Sequence, residues 1–515
     1  MTLETLKNKS FSILISSIKY IAIFIFSYLF LLVFSLWTTP LYKNWYGCDA
    51  SFFTMAGRGI TKGWVPYKDF FDLKGPYFFF IEALGQFIKY GRTGAFILQI
   101  VAMFFSMTLV MKLSRLFVSW KKTFVVLFVF AFWHIATLWG GNTLEEFALP
   151  LNLITLYLTT KDYLKNKEYK PSTITAIVTG ISFGIILFSK VTVAAPIIGI
   201  VLASIIIFIK NKDFKGLFFY LLYSFLGVLI AVIPIFIYFG LHNSISDMIY
   251  SVFIFAFKRS IDYGTKFNLR WELKISGCYF AMIYALCQLI CFRLKKKGAK
   301  DSENQLPDKS YSCPHLELHL IVLCMSIISA LLFHLGDPFI YYFTTAFPSV
   351  LFSLILLFYI NEPLIIFKSW RVDVPLIALL IPICYFASCS ANTLSTVIYD
   401  RNNGYYENYY NQAKEMASLI PDRERDEVYS FNIDMQWFEI NRILPCHQYQ
   451  VNLQFFCALD PAIEAEILKY LKETPPKWLV IGGDLSTYLP NINESVCRQY
   501  ENIYSNDYGA LYLLQ

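Results

Sequence analysis

An α-helical polytopic membrane protein with a small C-terminal α/β exterior domain is the fold class this sequence predicts, and three observations predict it. Of 515 residues, 56% are hydrophobic and only 16% are charged, far from the balance of a water-soluble domain. The apolar residues gather into runs of about 20, the length at which a helix crosses a bilayer core. Charge is also divided along the chain: residues 391–515 hold 9 Lys and Arg against 17 Asp and Glu, and residues 1–390 hold 35 against 20. A basic, apolar front part and an acidic tail meet different surroundings. Collagen-like, disordered and disulfide-scaffold classes are excluded. Because the positive charge is split rather than gathered into a patch, no nucleic-acid partner is expected.

Runs long enough to span fall at 20–37, 94–111, 123–139, 147–160, 173–189, 191–209, 217–239, 272–292, 318–335, 339–360 and 372–391, about 11 in all. One further stretch, 76–90, is apolar but short for a span and carries Glu82, Gln86 and Lys89. Its placement sets the topology. With 76–90 lying in the interface, the loops on the N-terminal side of the membrane hold 22 of the 35 Lys and Arg; with it spanning, they hold 11. Cytoplasmic loops carry the excess of Lys and Arg, so the count predicts an interfacial 76–90, a cytoplasmic N-terminus and an exterior C-terminus. The first apolar segment lacks a small-residue cleavage pattern and reads as an uncleaved signal anchor.

Residues 1–391 thus form the expected membrane domain, with an exterior loop at 38–93 that carries interfacial helices, and residues 392–515 the exterior domain. In the tail, 405–420 and 461–473 read as helices, and 426–432, 477–482 and 509–514 as short strands. The run Ile481-Gly-Gly-Asp484 lacks the spacing of a nucleotide loop and reads as a strand-ending turn. Cys446, Cys457 and Cys497 also fall here, an odd number with no framework spacing.

Polar chemistry concentrates in the first exterior loop. Asp49 stands just past the first span; Gly57-Arg58-Gly59 follows, and then Pro66-Tyr-Lys-Asp-Phe-Phe-Asp72-Leu-Lys74-Gly-Pro76. The glycines and prolines predict turns that let side chains converge on a ligand. Other outer turns add Glu145 and Glu146 after Gly140-Gly-Asn-Thr, Lys190 in a tight hairpin, and His334-Leu-Gly-Asp337 followed by Tyr341 and Tyr342. A lysine at the end of two apolar runs needs a partner or a function, or else snorkels to lipid headgroups. The tyrosines suit an aromatic belt.

The order of these pieces resembles bacterial membrane glycosyltransferases of the GT-C fold, the group of the protein O-mannosyltransferases and lipid A aminoarabinose transferases. The resemblance covers the layout of residues 1–390, and its most specific element is the run from Pro66 to Pro76. It implies a bacterial inner-membrane enzyme that transfers a sugar, with inversion, from a polyprenyl-phosphate donor to a hydroxyl of an extracytoplasmic glycan, lipid or protein. Asp49 matches the group's loop aspartate as general base. Lys74, Lys190 and Arg58 are the candidates to meet the donor phosphate. Asp72, Glu145, Glu146, Tyr67, Tyr341 and Tyr342 are the expected substrate-binding or orienting residues. Since the donor stores its own activation, no cofactor is expected. The first loop has no D-x-D pair, although its carboxylates could hold a divalent cation. His315 and His319 have helical spacing but fall at the cytoplasmic end of a span and do not form H-E-x-x-H. A transporter or flippase of polyprenyl-linked glycans would place charges at mid-membrane, whereas here they sit at the outer rim. A glycan polymerase or ligase would share the lipid.

Overall fold

The computed structural model describes residues 3–166, 169–262, 268–301, 315–335, 339–360 and 369–515. Every expected span lies in helical structure. Eight helices among the described residues are long and apolar enough to cross a membrane, against eleven expected. The other three fall short for visible reasons. Trp120–Thr137 carries Lys121, Lys122 and His134, Leu144–Asn166 is charged at both ends, and Thr173–Leu187 has only 15 residues. That short helix is held by close backbone approach to Phe214–Leu241. A Cβ on Gly180 would lie 1.8 Å from the Ser224 carbonyl, and one on Gly227 2.2 Å from that of Ile177. Small residues at such a contact replace the hydrophobic drive that helices in lipid lack.

The first long loop, residues 38–93, carries two helices. Cys48–Thr61 and Pro76–Ile88 are helices packed on each other. Gly57 and Gly59 lie inside the first of them: a Cβ on Gly57 would meet the Glu82 backbone at 2.6 Å, and one on Gly59 the Trp64 ring at 2.1 Å. Their role is close packing rather than turning. Pro76–Ile88 has 13 residues, a length of about 20 Å at 1.5 Å per residue, short of the ~30 Å hydrocarbon core. It turns Glu82 and Gln86 inward and leaves Leu84, Phe87 and Ile88 exposed. Burial pushes the Glu82 carboxyl up to about 8, so it is mostly neutral at pH 7.

The last long helix, Trp370–Asn403, runs without a break through residue 391, and Tyr405–Ser418 follows. The tail builds a four-stranded sheet from β1 (Val428–Phe431), β2 (Trp478–Ile481), β3 (Tyr500–Asn506) and β4 (Gly509–Leu514), in the order β1-β2-β4-β3. β1 and β2 pair in parallel and are buried throughout; β2 with β4 and β4 with β3 are antiparallel. β3 was not expected, because it is a polar edge strand with little apolar alternation. Pro461–Glu473 and Pro490–Gln499 cover the sheet, burying Ile463, Ile467, Ile492 and Val496. The tail also shares a core with the first loop: Tyr409, Met416, Trp437 and Phe438 join Phe52, Phe53, Phe78 and Phe79 in one buried cluster. It is thereby fixed against the end of the bundle that carries the first long loop.

Candidate active site

Asp49 owes its position to Gly47, the residue capping helix Cys48–Thr61. A Cβ there would lie 2.7 Å from the Trp37 ring, so only glycine lets the chain pass that indole. Trp37 in turn donates to the Trp139 carbonyl at 2.9 Å and packs edge-on against Tyr406 of the tail. The helix therefore starts at a fixed point just beyond the first span. Asp49, in its first turn, lines a cavity of about 260 Å³ between the first loop and the tail. Asp72 and Lys74 line it from the loop, and Asn432, Asp434 and Gln450 from the tail.

The run from Pro66 to Pro76 is a braced hook. Asp72 Oδ1 accepts from the Lys74 backbone N–H at 2.8 Å and meets Lys74 Nζ at 3.5 Å. Tyr67, held at φ +70° and almost fully buried, donates its hydroxyl to the Lys74 carbonyl at 2.7 Å. Tyr67 thus shapes the hook and does not line the cavity of Asp49. Next, Gly75 donates to the Ser189 carbonyl at 2.6 Å and Tyr77 to that of Phe188 at 3.2 Å. A Cβ on Gly75 would sit 2.1 Å from the Phe188 oxygen. This docking sets the backbone that follows Lys74 against the backbone that precedes Lys190. Gly75→Ala should therefore lower stability by about 1–3 kcal/mol through overpacking and cut activity further by displacing Lys74. Thermal unfolding in detergent checks the first effect; a wild-type midpoint would contradict the tight contact.

Lys190, Glu145, Tyr341 and Tyr342, singled out separately in the sequence, come together here. Lys190 Nζ lies 2.9 Å from Glu145 Oε1 and 3.4 Å from the centre of the Tyr342 ring, with Tyr341 at 5.9 Å. A cation held over a tyrosine face beside a buried carboxylate is a built site rather than a snorkelling side chain. Glu146 points elsewhere. It accepts from the Thr143 N–H at 2.8 Å and from Gln99 at 3.1 Å, closing the first turn of its helix as a capping-box glutamate. Of the two glutamates, only Glu145 reaches a lysine.

Arg58 is a correction. Its side chain is wholly buried, 2.7 Å from Glu439 of the tail, and donates to the Ile443 carbonyl at 3.0 Å. It ties the first loop to the tail and has no exposed face for a phosphate. Asp337 lies outside the described residues.

Electrostatically the pieces form one unit. Burial pulls the Lys74 ammonium down, but Asp72, Asp49 and Tyr342 outweigh it and hold its pKa above the ordinary lysine value. Arg259, from helix Ala256–Asp262, is near enough to oppose them. Tyr341 lies within reach of both Glu145 and Asp49. Burial raises Asp434, which Gln436 restrains by donating at 2.8 Å. Neither Asp434 nor Arg259 was expected at the site. For Asp434 a signal exists in the sequence, since it stands just past the end of an apolar strand, where α/β folds commonly bind ligands. Among the described residues no group of three or more His, Cys, Asp or Glu is arranged to hold a metal ion.

A helical membrane bundle with a helical first long loop and an α/β tail packed on it is the GT-C fold that the chain shares with solved structures. The chain is similar to ArnT from Cupriavidus metallidurans bound to undecaprenyl phosphate, with 12% identity and a TM-score of 0.55 over 96% of this chain and 97% of that one. For ArnT from the same organism in the apo state the values are 13% and 0.54, over 96% and 98%. No protein-family model matches the chain, and no curated protein does. At such identity the likeness speaks for the fold, and the chemistry rests on the residues.

Proposed function

We propose that this chain is a membrane glycosyltransferase that moves a sugar from a polyprenyl-phosphate donor to a hydroxyl of an acceptor outside the membrane. The observation that carries this reading is Lys74 beside Asp49 in one cavity, with Lys190 joined to that unit through Tyr342 and the Gly75–Ser189 backbone contact. The undecaprenyl phosphate bound by ArnT supports a lipid phosphate as the donor's carrier.

In this reaction Asp49 takes the proton of the acceptor hydroxyl as its oxygen attacks the anomeric carbon from the face opposite the phosphate. The bond from that carbon to the phosphate oxygen breaks, its electron pair leaves with the lipid phosphate, and the configuration inverts. Charge grows on the leaving oxygen, which Lys74 and Lys190 meet as ammonium donors. Each lysine spends one of its three N–H groups on a carboxylate, Asp72 or Glu145, and keeps others for phosphate. Tyr342 holds Lys190 in place, and Asp72 holds Lys74. Since two fixed cations face the phosphate, the residues themselves account for leaving-group stabilisation without an added cofactor.

The reading places the chain in the bacterial inner membrane, N-terminus inside and tail outside, as the 22 basic residues on one side suggest. Cys497 in the tail and Cys48 in the first loop are both exposed, so in a Cys48→Ser background an impermeant maleimide should tag Cys497 in spheroplasts, and adding Cys497→Ser should remove that signal. Tagging only after the membrane is opened would reverse the orientation. The function itself is tested by the mass of surface glycans and lipids in cells with and without the gene. A loss of one sugar unit is expected; identical profiles under expressing conditions would count against transfer.

A further inference from the structure

A second cleft, of about 300 Å³, lies on the other side of the hook that carries Asp72 and Lys74. Asp247, Tyr250, Ser251, Gln448, Tyr449 and Glu466 line it, together with Phe71 and Lys68 from the hook. Its polar wall is organised in advance. Glu466 accepts from Gln448 Nε2 at 2.7 Å and from the Tyr449 hydroxyl at 3.4 Å, and the Tyr250 hydroxyl donates to Asp460. Ser251, 1% exposed, has a buried hydroxyl with no hydrogen-bond partner. Such an orphan destabilises the fold unless something bonds to it.

The chemistry of the lining selects a ligand class. Two carboxylates, a side-chain amide and a serine hydroxyl offer several acceptors and donors, and tyrosine rings offer apolar faces with polar edges. That combination suits a sugar ring, which presents hydroxyls at its rim and C–H groups on its faces. With Asp247 and Glu466 against a single Lys68, the cleft disfavours phosphate and accepts a neutral or amino sugar. Its volume sits at the lower end of small-molecule sites, which begin at about 300 Å³, so it fits one sugar unit.

The ridge between the two cavities says what that unit belongs to. It is thin: Phe71 donates to the Gln448 carbonyl at 2.9 Å, and Gln450 reaches the Asp69 carbonyl at 3.4 Å. Phe71 faces the second cleft while Asp72, the next residue, faces the cavity of Asp49. We infer that the second cleft binds a sugar of a glycan acceptor that straddles this ridge, with its reacting hydroxyl at Asp49. This inference rests on the glycosyltransferase reading and narrows the acceptor from any hydroxyl compound to a glycan of at least two units.

The test uses the full-length protein in detergent and saturation-transfer NMR with methyl glycosides of glucose, galactose and mannose and of their 2-amino and 2-acetamido forms. At least one should bind. That binding should weaken about tenfold in Glu466→Gln, and likewise in Ser251→Ala, as loss of a hydrogen bond to a charged or buried group predicts, while Asp49→Asn leaves it unchanged. Glu466 is exposed on its helix, so its variant should fold. The inference is overturned if no glycoside binds, if binding survives in Glu466→Gln, or if it is lost in Asp49→Asn alone. Binding of undecaprenyl phosphate, measured on the same samples, reports separately on the glycosyltransferase reading.

Discussion

Asp49→Asn should lower transfer by about 10²–10⁴-fold, the contribution of a positioned general base, while expression and thermal unfolding stay at wild-type values. Asn keeps the size of the side chain and most of its hydrogen bonding but cannot take the acceptor's proton. Because Asp49 is exposed at the cavity rather than buried in an ion pair, its neutralisation should cost little stability. The comparison that sharpens the test is Asp434→Asn, the carboxylate that the tail contributes to the same cavity. A small loss there and a large one at residue 49 is the expected pattern. Activity of Asp49→Asn within about tenfold of wild type would remove it as the base, and the reverse pattern would hand that role to the tail.

Removing the charge of Lys190 should have the next largest effect, and the design of the variant matters. Lys190→Met alone leaves Glu145, only 2% exposed, as an unpaired buried carboxylate, and breaking such a pair costs about 3–5 kcal/mol. Loss of activity would then mix misfolding with chemistry. Glu145→Gln with Lys190→Met deletes both charges together and should stay folded. Transfer by this double variant is expected to fall about a hundredfold, two good charge-assisted hydrogen bonds to the leaving phosphate being worth at least that much. Single-turnover kinetics with a polyprenyl-phosphate sugar would measure it. Unchanged kinetics would leave Lys190 a structural cation pinned between Glu145 and Tyr342.

How much of this was legible in the sequence follows from the range of the interactions. Apolar runs declare helices locally, so every expected span was found in helical structure, and ionisable residues at their outer ends stand out because lipid makes them costly. That is how Asp49, Asp72, Lys74, Glu145 and Lys190 could be singled out. Their pairing could not be read. Lys190 meets Glu145 and Tyr342 only because three hairpins pack at one level, and the hook docks on Phe188 and Ser189 only because residue 75 has no side chain. Arg58 was misassigned because its partner, Glu439, is 381 residues away. Glu146 is a different lesson, since Thr143 three residues before it spells a capping box that local inspection can find. The glycines of Cys48–Thr61 suggest turns when read by propensity, but they let a helix lie against Glu82 and Trp64 instead.

The central claim is that Lys74 and Lys190 together receive a lipid phosphate, and one binding measurement addresses it directly. Undecaprenyl phosphate and undecaprenol are titrated, by native mass spectrometry, against the wild-type protein and against a variant combining Lys74→Met, Glu145→Gln and Lys190→Met. The account predicts that wild type binds the phosphate much more tightly than the alcohol, and that the variant weakens phosphate binding by about a hundredfold or more while leaving the alcohol unaffected. Equal affinity of both proteins for undecaprenyl phosphate would contradict it.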